Sequence, residues 1–156
     1  YRDTGIDPGS TWTLAGYDDS TWSSGPAPLG YGDGDEQTVV SFGPNPLAKP
    51  ITTWFRSTFQ VANPASIHAL RLALQRDDGA VVWINGREAY RDDLVRASTS
   101  ATTAGYDRVA PSENDDARTF LDARLLVPGT NVIAVEVHQF DAQSDDLSFD
   151  LELEGL

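Results

Sequence analysis

The 156-residue chain contains no cysteine, so neither a disulfide nor a thiolate metal site contributes to its fold. Basic residues are scarce, eleven against twenty-four acidic ones, and ten of the eleven are arginine. The resulting formal charge of −13 opposes phosphate backbones and anionic lipid, which argues against nucleic acid and membranes as partners. It suits cations, neutral glycans or a salty medium, and it equally serves to keep an extracellular protein soluble. No apolar run is long enough to span a bilayer, so membrane insertion is not expected. Only two histidines occur, His68 and His138. With no G-x-S-x-G either, zinc binding and nucleophilic catalysis find little support. Helical periodicity is almost absent.

Alternation with a period of two runs through the chain instead, the pattern of strands with one face inward. In residues 52–61 Phe55, Phe59 and Val61 alternate with Trp54, Arg56 and Gln60, and in 69–76 Leu70, Leu72 and Leu74 share a face. Residues 80–90 read as a hairpin around Asn85-Gly86, a pair that tolerates the positive φ of a tight turn. A short strand is expected over 117–123. Strands over 131–140 and 147–154 follow, the first with Ile133, Val135 and Val137 on one face and Glu136 and His138 on the other. Many short strands with Gly/Pro-rich turns predict an all-β, antiparallel β-sandwich. The length fits a single domain, 1–156. The opening at Tyr1, with neither Met nor leader, suggests a domain of a longer secreted protein.

Three motifs carry a resemblance: Asp-Asp-Ser-x-Trp at 18–22, a WFR strand at 54–56, and V-x-INGR at 82–87. With GYGDGDE, RDDGAVVWING and GTNVIAVEVHQ, the chain resembles a galactose-binding-like jelly-roll domain of large secreted bacterial proteins. It is similar to the sugar-binding domain of the β-galactosidase/β-glucuronidase family. The resemblance implies a jelly roll without a catalytic motif. Asp77-Asp78-Gly79 also resembles a turn in protective-antigen-like sugar-binding domains, where adjacent aspartates hold calcium and sugar together.

If consecutive strands are antiparallel, their connections alternate between the two ends of the sandwich. One end then gathers Asp33, Asp35, Glu36, Asp77, Asp78, Asp92, Asp93, Asp107, Glu113, Asp115, Asp116, Asp141, Asp145 and Asp146, fourteen of the twenty-four acids. The other end, made of 62–68, the Asn85-Gly86 turn and 124–130, carries none. A calcium ion needs about six to eight oxygen ligands. Asp33, Asp35, Glu36, Asp77, Asp78, Asp145 and Asp146 are the candidates to supply them. The alternative is that these aspartates stabilise turns, for which Asp is favoured anyway.

Sugar recognition pairs an aromatic platform with a few polar groups. Tyr31, Trp54, Arg56, Trp83, Glu136 and His138 are the candidate ligand-binding residues. Each aromatic has a core role as its alternative, and Arg56 with Glu136 can form a cross-strand ion pair. The expected function is a non-catalytic carbohydrate-binding module, secreted or on a bacterial cell surface. It would tether neighbouring domains of the same polypeptide to polysaccharide, with calcium as a structural ion. A structural or adhesive spacer is the alternative. Exposed Trp54, Trp83 or Tyr31 would favour the sugar reading; burial of all three would favour the spacer.

Overall fold

The computed structural model describes residues 1–94, 100–105 and 117–156. Nine strands form two sheets: β1 Leu29–Tyr31, β2 Thr38–Val39, β3 Thr52–Val61, β4 Leu70–Arg76, β5 Gly79–Ile84, β6 Arg87–Asp92, β7 Ala117–Leu121, β8 Gly129–His138 and β9 Leu147–Gly155. The five-stranded sheet runs β2-β1-β9-β4-β7 and the four-stranded sheet β3-β8-β5-β6. Every pairing is antiparallel except the two-residue β1–β2 contact, which is parallel. The chain is thus an all-β sandwich. Among the described residues no helix is long and apolar enough to cross a membrane.

Alternation sets both cores. The inward residues Phe55, Val135 and Val82 lie side by side across three strands of the four-stranded sheet. They meet Leu70, Leu72, Leu74, Leu147 and Phe149 of the other sheet in one cluster. Phe55 and Phe149 stack between the sheets with ring centroids 4.1 Å apart. The outward residues of the four-stranded sheet are Trp54, Arg56, Val132, Ala134, Glu136, His138 and Trp83, as their register dictates. This face is too apolar to meet water. The N-terminal segment covers it, so that Trp12, Trp54, Val132 and Ala134 form a second buried cluster with Tyr17, Trp22 and Trp83 packed against it. Arg56 holds the cover down. It forms an ion pair with Asp19, donates to the Leu14 carbonyl at 3.0 Å, and lies 5.4 Å from the Tyr17 ring centre.

The hairpin turns where expected, with Asn85 at φ 51° and Gly86 at φ 79°. A β-bulge between Val82 and Trp83 then shifts the register, so that Trp83 faces Glu88. Asn131, fully buried, ties this turn to the loop before β8. Its amide oxygen accepts from Asn85 Nδ2 at 2.7 Å and from the Val127 amide at 2.9 Å, while its Nδ2 donates to the Val127 and Gly129 carbonyls. The long connection 23–53 contains β1 and β2, too short to leave an alternation in the sequence.

Candidate functional site

Two places gather the predicted residues: the acidic end of the sandwich and the covered outer face. At the acidic end, Thr52, Gly79 and His138 lie level in one sheet and Tyr31 lies beside Leu147 in the other. The loops around 33, 77, 93 and 146 therefore share that end, as chain parity predicts. Asp107, Glu113, Asp115 and Asp116 lie outside the described residues. Asp122, which the expected strand 117–123 contains, instead caps a 3-10 turn at the opposite end.

Asp77 and Asp78 make the β4–β5 connection, joined by a cis peptide bond. The Asp77 carboxyl is close enough to the carboxyls of Asp78 and Asp146 for both to raise it. Burial first, and then the charge of Asp78, push it up to about 8. Burial also raises Asp78, against the opposing effect of the Phe140 amide that donates to its Oδ2 at 2.7 Å. Tyr31 is raised to about 12, chiefly by burial, with the charges of Asp146, Asp77 and Asp78 adding to it. Gln139, fully buried, joins these groups. Its Nε2 donates to the Asp146 carbonyl at 2.7 Å and to the Tyr31 hydroxyl at 3.2 Å, while its Oε1 has no hydrogen-bond partner among the described residues. Lys49, the one lysine of the chain, donates to the Ser144 carbonyl and lies over the Tyr31 and Phe42 rings.

Asp33, Asp35 and Glu36 place one ligand atom each within 4.8 Å of one another. Two of them already have partners. Glu36 accepts from the Asp33 and Gly34 amides at 3.0 Å each, and Asp33 accepts from the Ser148 hydroxyl at 2.5 Å. Gly32, at φ 109°, lets this loop approach the 145–146 turn, because a Cβ there would stand 2.6 Å from the Asp145 carbonyl oxygen. Asp145 itself is exposed.

On the outer face, a pocket of about 360 Å³ opens between the sheet and the covering segments 7–13 and 100–101. Trp12, Trp54 and Trp83 line it together with Asp7, Ser10, Thr13, Ser100 and Glu136. Glu136 and Trp83 are diagonal neighbours on β8 and β5, two residues apart in register. Glu136 Oε1 and Trp83 Nε1 both lack a hydrogen-bond partner among the described residues. Behind Glu136, His138 Nδ1 is 2.6 Å from the Thr103 carbonyl and 3.0 Å from Thr52 Oγ1. A carbonyl can only accept, so Nδ1 carries the proton. His138 Nε2 faces Glu136 Oε2 at 3.6 Å.

This geometry corrects three placements. Trp54 is 2 % exposed and Tyr31 6 %, so neither forms an open platform on the surface. Trp54 is roofed by the N-terminal cover, and Tyr31 belongs to the main core. Arg56 does not pair with Glu136, because in register it stands beside Ala134 while Trp54 takes the place beside Glu136. Trp83 remains half-buried. Trp12 and Gln139 are functional candidates that alternation alone does not single out. The signal for Trp12 is indirect: outward Trp54, Val132 and Ala134 demand an apolar cover, and Trp12 lies in a segment with no strand pattern.

A larger cavity, about 620 Å³, lies elsewhere, between the two sheets along β3 and β9, lined by Phe55, Phe59, Ile133, Phe149, Leu151 and Leu153 among others. Its wall also carries Tyr1, Asp19, Ser23, Ser24, Arg56, Ser57 and Asp150, of which Arg56 and Asp19 are already paired with each other.

No protein-family model and no curated protein matches the chain. Solved structures do. A β-glycosidase from Bacteroides vulgatus is similar over 93 % of this chain at 17 % identity, with a TM-score of 0.51. A native α-L-rhamnosidase from Aspergillus terreus is similar over 69 % of this chain at 19 % identity, with a TM-score of 0.46. The matched regions span only 18 % and 12 % of those two chains. At this identity the likeness concerns the β-sandwich fold alone.

Proposed function

We propose that this chain is a galactose-binding-like, non-catalytic carbohydrate-binding module of a secreted or cell-surface bacterial protein, tethering a neighbouring domain to polysaccharide. One observation carries the proposal: the pocket is walled by half-buried Trp83, with the buried Trp12 and Trp54 beneath, and by the acid Glu136, and Glu136 Oε1 and Trp83 Nε1 lie buried without hydrogen-bond partners among the described residues. Indole rings take the apolar face of a sugar ring, and each unpaired polar atom is costly until a ligand hydroxyl satisfies it. The lining hydroxyl of Ser100 is engaged with Thr102 and Thr103.

Calcium belongs to the acidic end in this reading. Asp77, Asp78 and Asp146 crowd three carboxyls together, and the buried Gln139 Oε1 beside them adds an oxygen. A hard cation would relieve the repulsion and order the loops. The Asp33–Glu36 turn, whose oxygens already serve backbone amides, is the weaker candidate.

The burial of Tyr31 and Trp54 supports a second reading, a spacer domain without a ligand of its own. A polysaccharide and glycan panel, run in calcium and again in chelator, separates the two. The module reading predicts binding that survives chelation with at most a few-fold loss, since the pocket lies on the outer face and the proposed ion at the end. Absence of binding to every glycan would favour the spacer.

A further inference from the structure

The outer-face pocket has a charge that a neutral sugar leaves unused. Among the described residues its lining includes two acids, Asp7 and Glu136, and no lysine, arginine or histidine. Asp7 accepts from the Gly9 amide at 2.7 Å and stays exposed at the mouth. Glu136 is 6 % exposed and keeps Oε1 unpartnered. Arg91 shares the cross-strand row of Glu136, two strands away; it closes a two-pronged contact with Glu88 at 2.8 and 3.0 Å, and its charge also reaches Glu136. His138, behind Glu136, is not part of the wall. Tryptophan walls and a buried carboxylate together make an ammonium receptor, because the ring quadrupole and the anion both attract a cation.

The second unpartnered atom narrows the ligand. Trp83 Nε1 is a donor and needs an acceptor, and on neighbouring strands a diagonal pair stands about 7–8 Å apart. Both atoms are buried, so a ligand reaches them only as the wall gives; one that offers an ammonium on the Glu136 side and an oxygen on the Trp83 side across a short span matches the pair. A simple alkylammonium offers only the first. A volume of about 360 Å³ is small for a ligand pocket, where roughly 300–1,000 Å³ is usual, and suits one end residue of a glycan. Resting on the carbohydrate-binding reading above, we infer that this pocket selects a sugar bearing a free, protonated amino group next to a hydroxyl over the same sugar acetylated at that nitrogen. N-acetylation removes the charge, replaces three donors by one, and adds bulk against the indole walls.

The test is tryptophan fluorescence titration of the full chain with four probes: a glucosamine tetramer, an N-acetylglucosamine tetramer, a glucose tetramer and tetramethylammonium. The glucosamine tetramer is expected to bind at least tenfold more tightly than the other three, and to weaken as salt is raised. Glu136→Gln should bring the glucosamine and N-acetylglucosamine affinities to within about threefold of each other. Should that variant fail to fold, Trp83→Phe keeps a ring and removes the N–H, and should weaken glucosamine binding several-fold. Equal binding of the free and acetylated tetramers would overturn the inference and leave the carbohydrate reading standing. Tetramethylammonium binding as tightly as glucosamine would also overturn it. Binding of none of the three saccharides would overturn the inference, and the glycan panel then decides separately whether the carbohydrate reading stands.

Discussion

Trp54 and Trp83 stand two strands apart on the same outer face, and their burial assigns them different work. Trp54 is sealed under the N-terminal cover, so Trp54→Ala removes a core side chain and leaves a cavity. That should cost about 3–5 kcal/mol, read as a lower midpoint in urea unfolding. Trp83 is half-buried at the pocket, and Trp83→Ala should cost less stability than Trp54→Ala in the same experiment. Asn131 is a third residue with a single-site prediction. Four groups bond to its amide, two of them backbone carbonyls and one a backbone amide. Asn131→Ala leaves them unpaired in a buried place and should cost about 2–4 kcal/mol by the same measurement.

At the scale of elements, the N-terminal cover has no strand of its own beyond the isolated Arg2–Trp54 bridge. It is held by Trp12 and Trp22 packing and by Arg56, whose side chain is nearly buried while Asp19 is about half exposed. Arg56→Ala should leave the sandwich folded and loosen the cover, seen as faster limited proteolysis within residues 1–22. An unchanged cleavage rate would contradict the anchoring role. The elements differ in how far their sequences announce them. β3, the β5–β6 hairpin and β8 are legible because alternating apolar residues must face a core and Asn85-Gly86 suits the turn. β1 and β2 are not, since three and two residues cannot show a period. The acidic end is legible from chain parity, which holds because neighbouring strands are antiparallel. The outer pocket is only half legible: β3, β5 and β8 supply Trp54, Trp83 and Glu136, but its roof is a coil segment whose placement depends on long-range packing. Gln139 is hidden for a related reason. It follows the last residue of β8, where alternation ends, and its role comes from loops distant in sequence.

For the whole molecule, the crowded carboxyls make stability depend on pH. Asp77 holds its proton in the folded chain up to about 8, against 3.8 when unperturbed. Between those values the folded state binds more protons than the unfolded one, so stability falls as pH rises through that window. The cost is absent below 3.8 and complete above about 8. Asp78 is shifted in the same direction and adds to the fall. In chelator, the melting temperature should therefore decline from pH 5 to pH 8, and Asp77→Asn should flatten that decline. Calcium should raise the melting temperature at pH 8 more than at pH 5, where Asp77 still holds its proton. Asp146→Asn should weaken the calcium effect. A calcium-independent melting temperature at pH 8 would remove the ion from the account.

The most direct test of the central claim compares the wild-type chain with Trp83→Ala for retention on a series of insoluble polysaccharides, after thermal melting has shown both folded. Retention of the wild type on at least one polysaccharide, and its loss in Trp83→Ala, is the predicted result. Equal retention of the two proteins would contradict the pocket as the binding site.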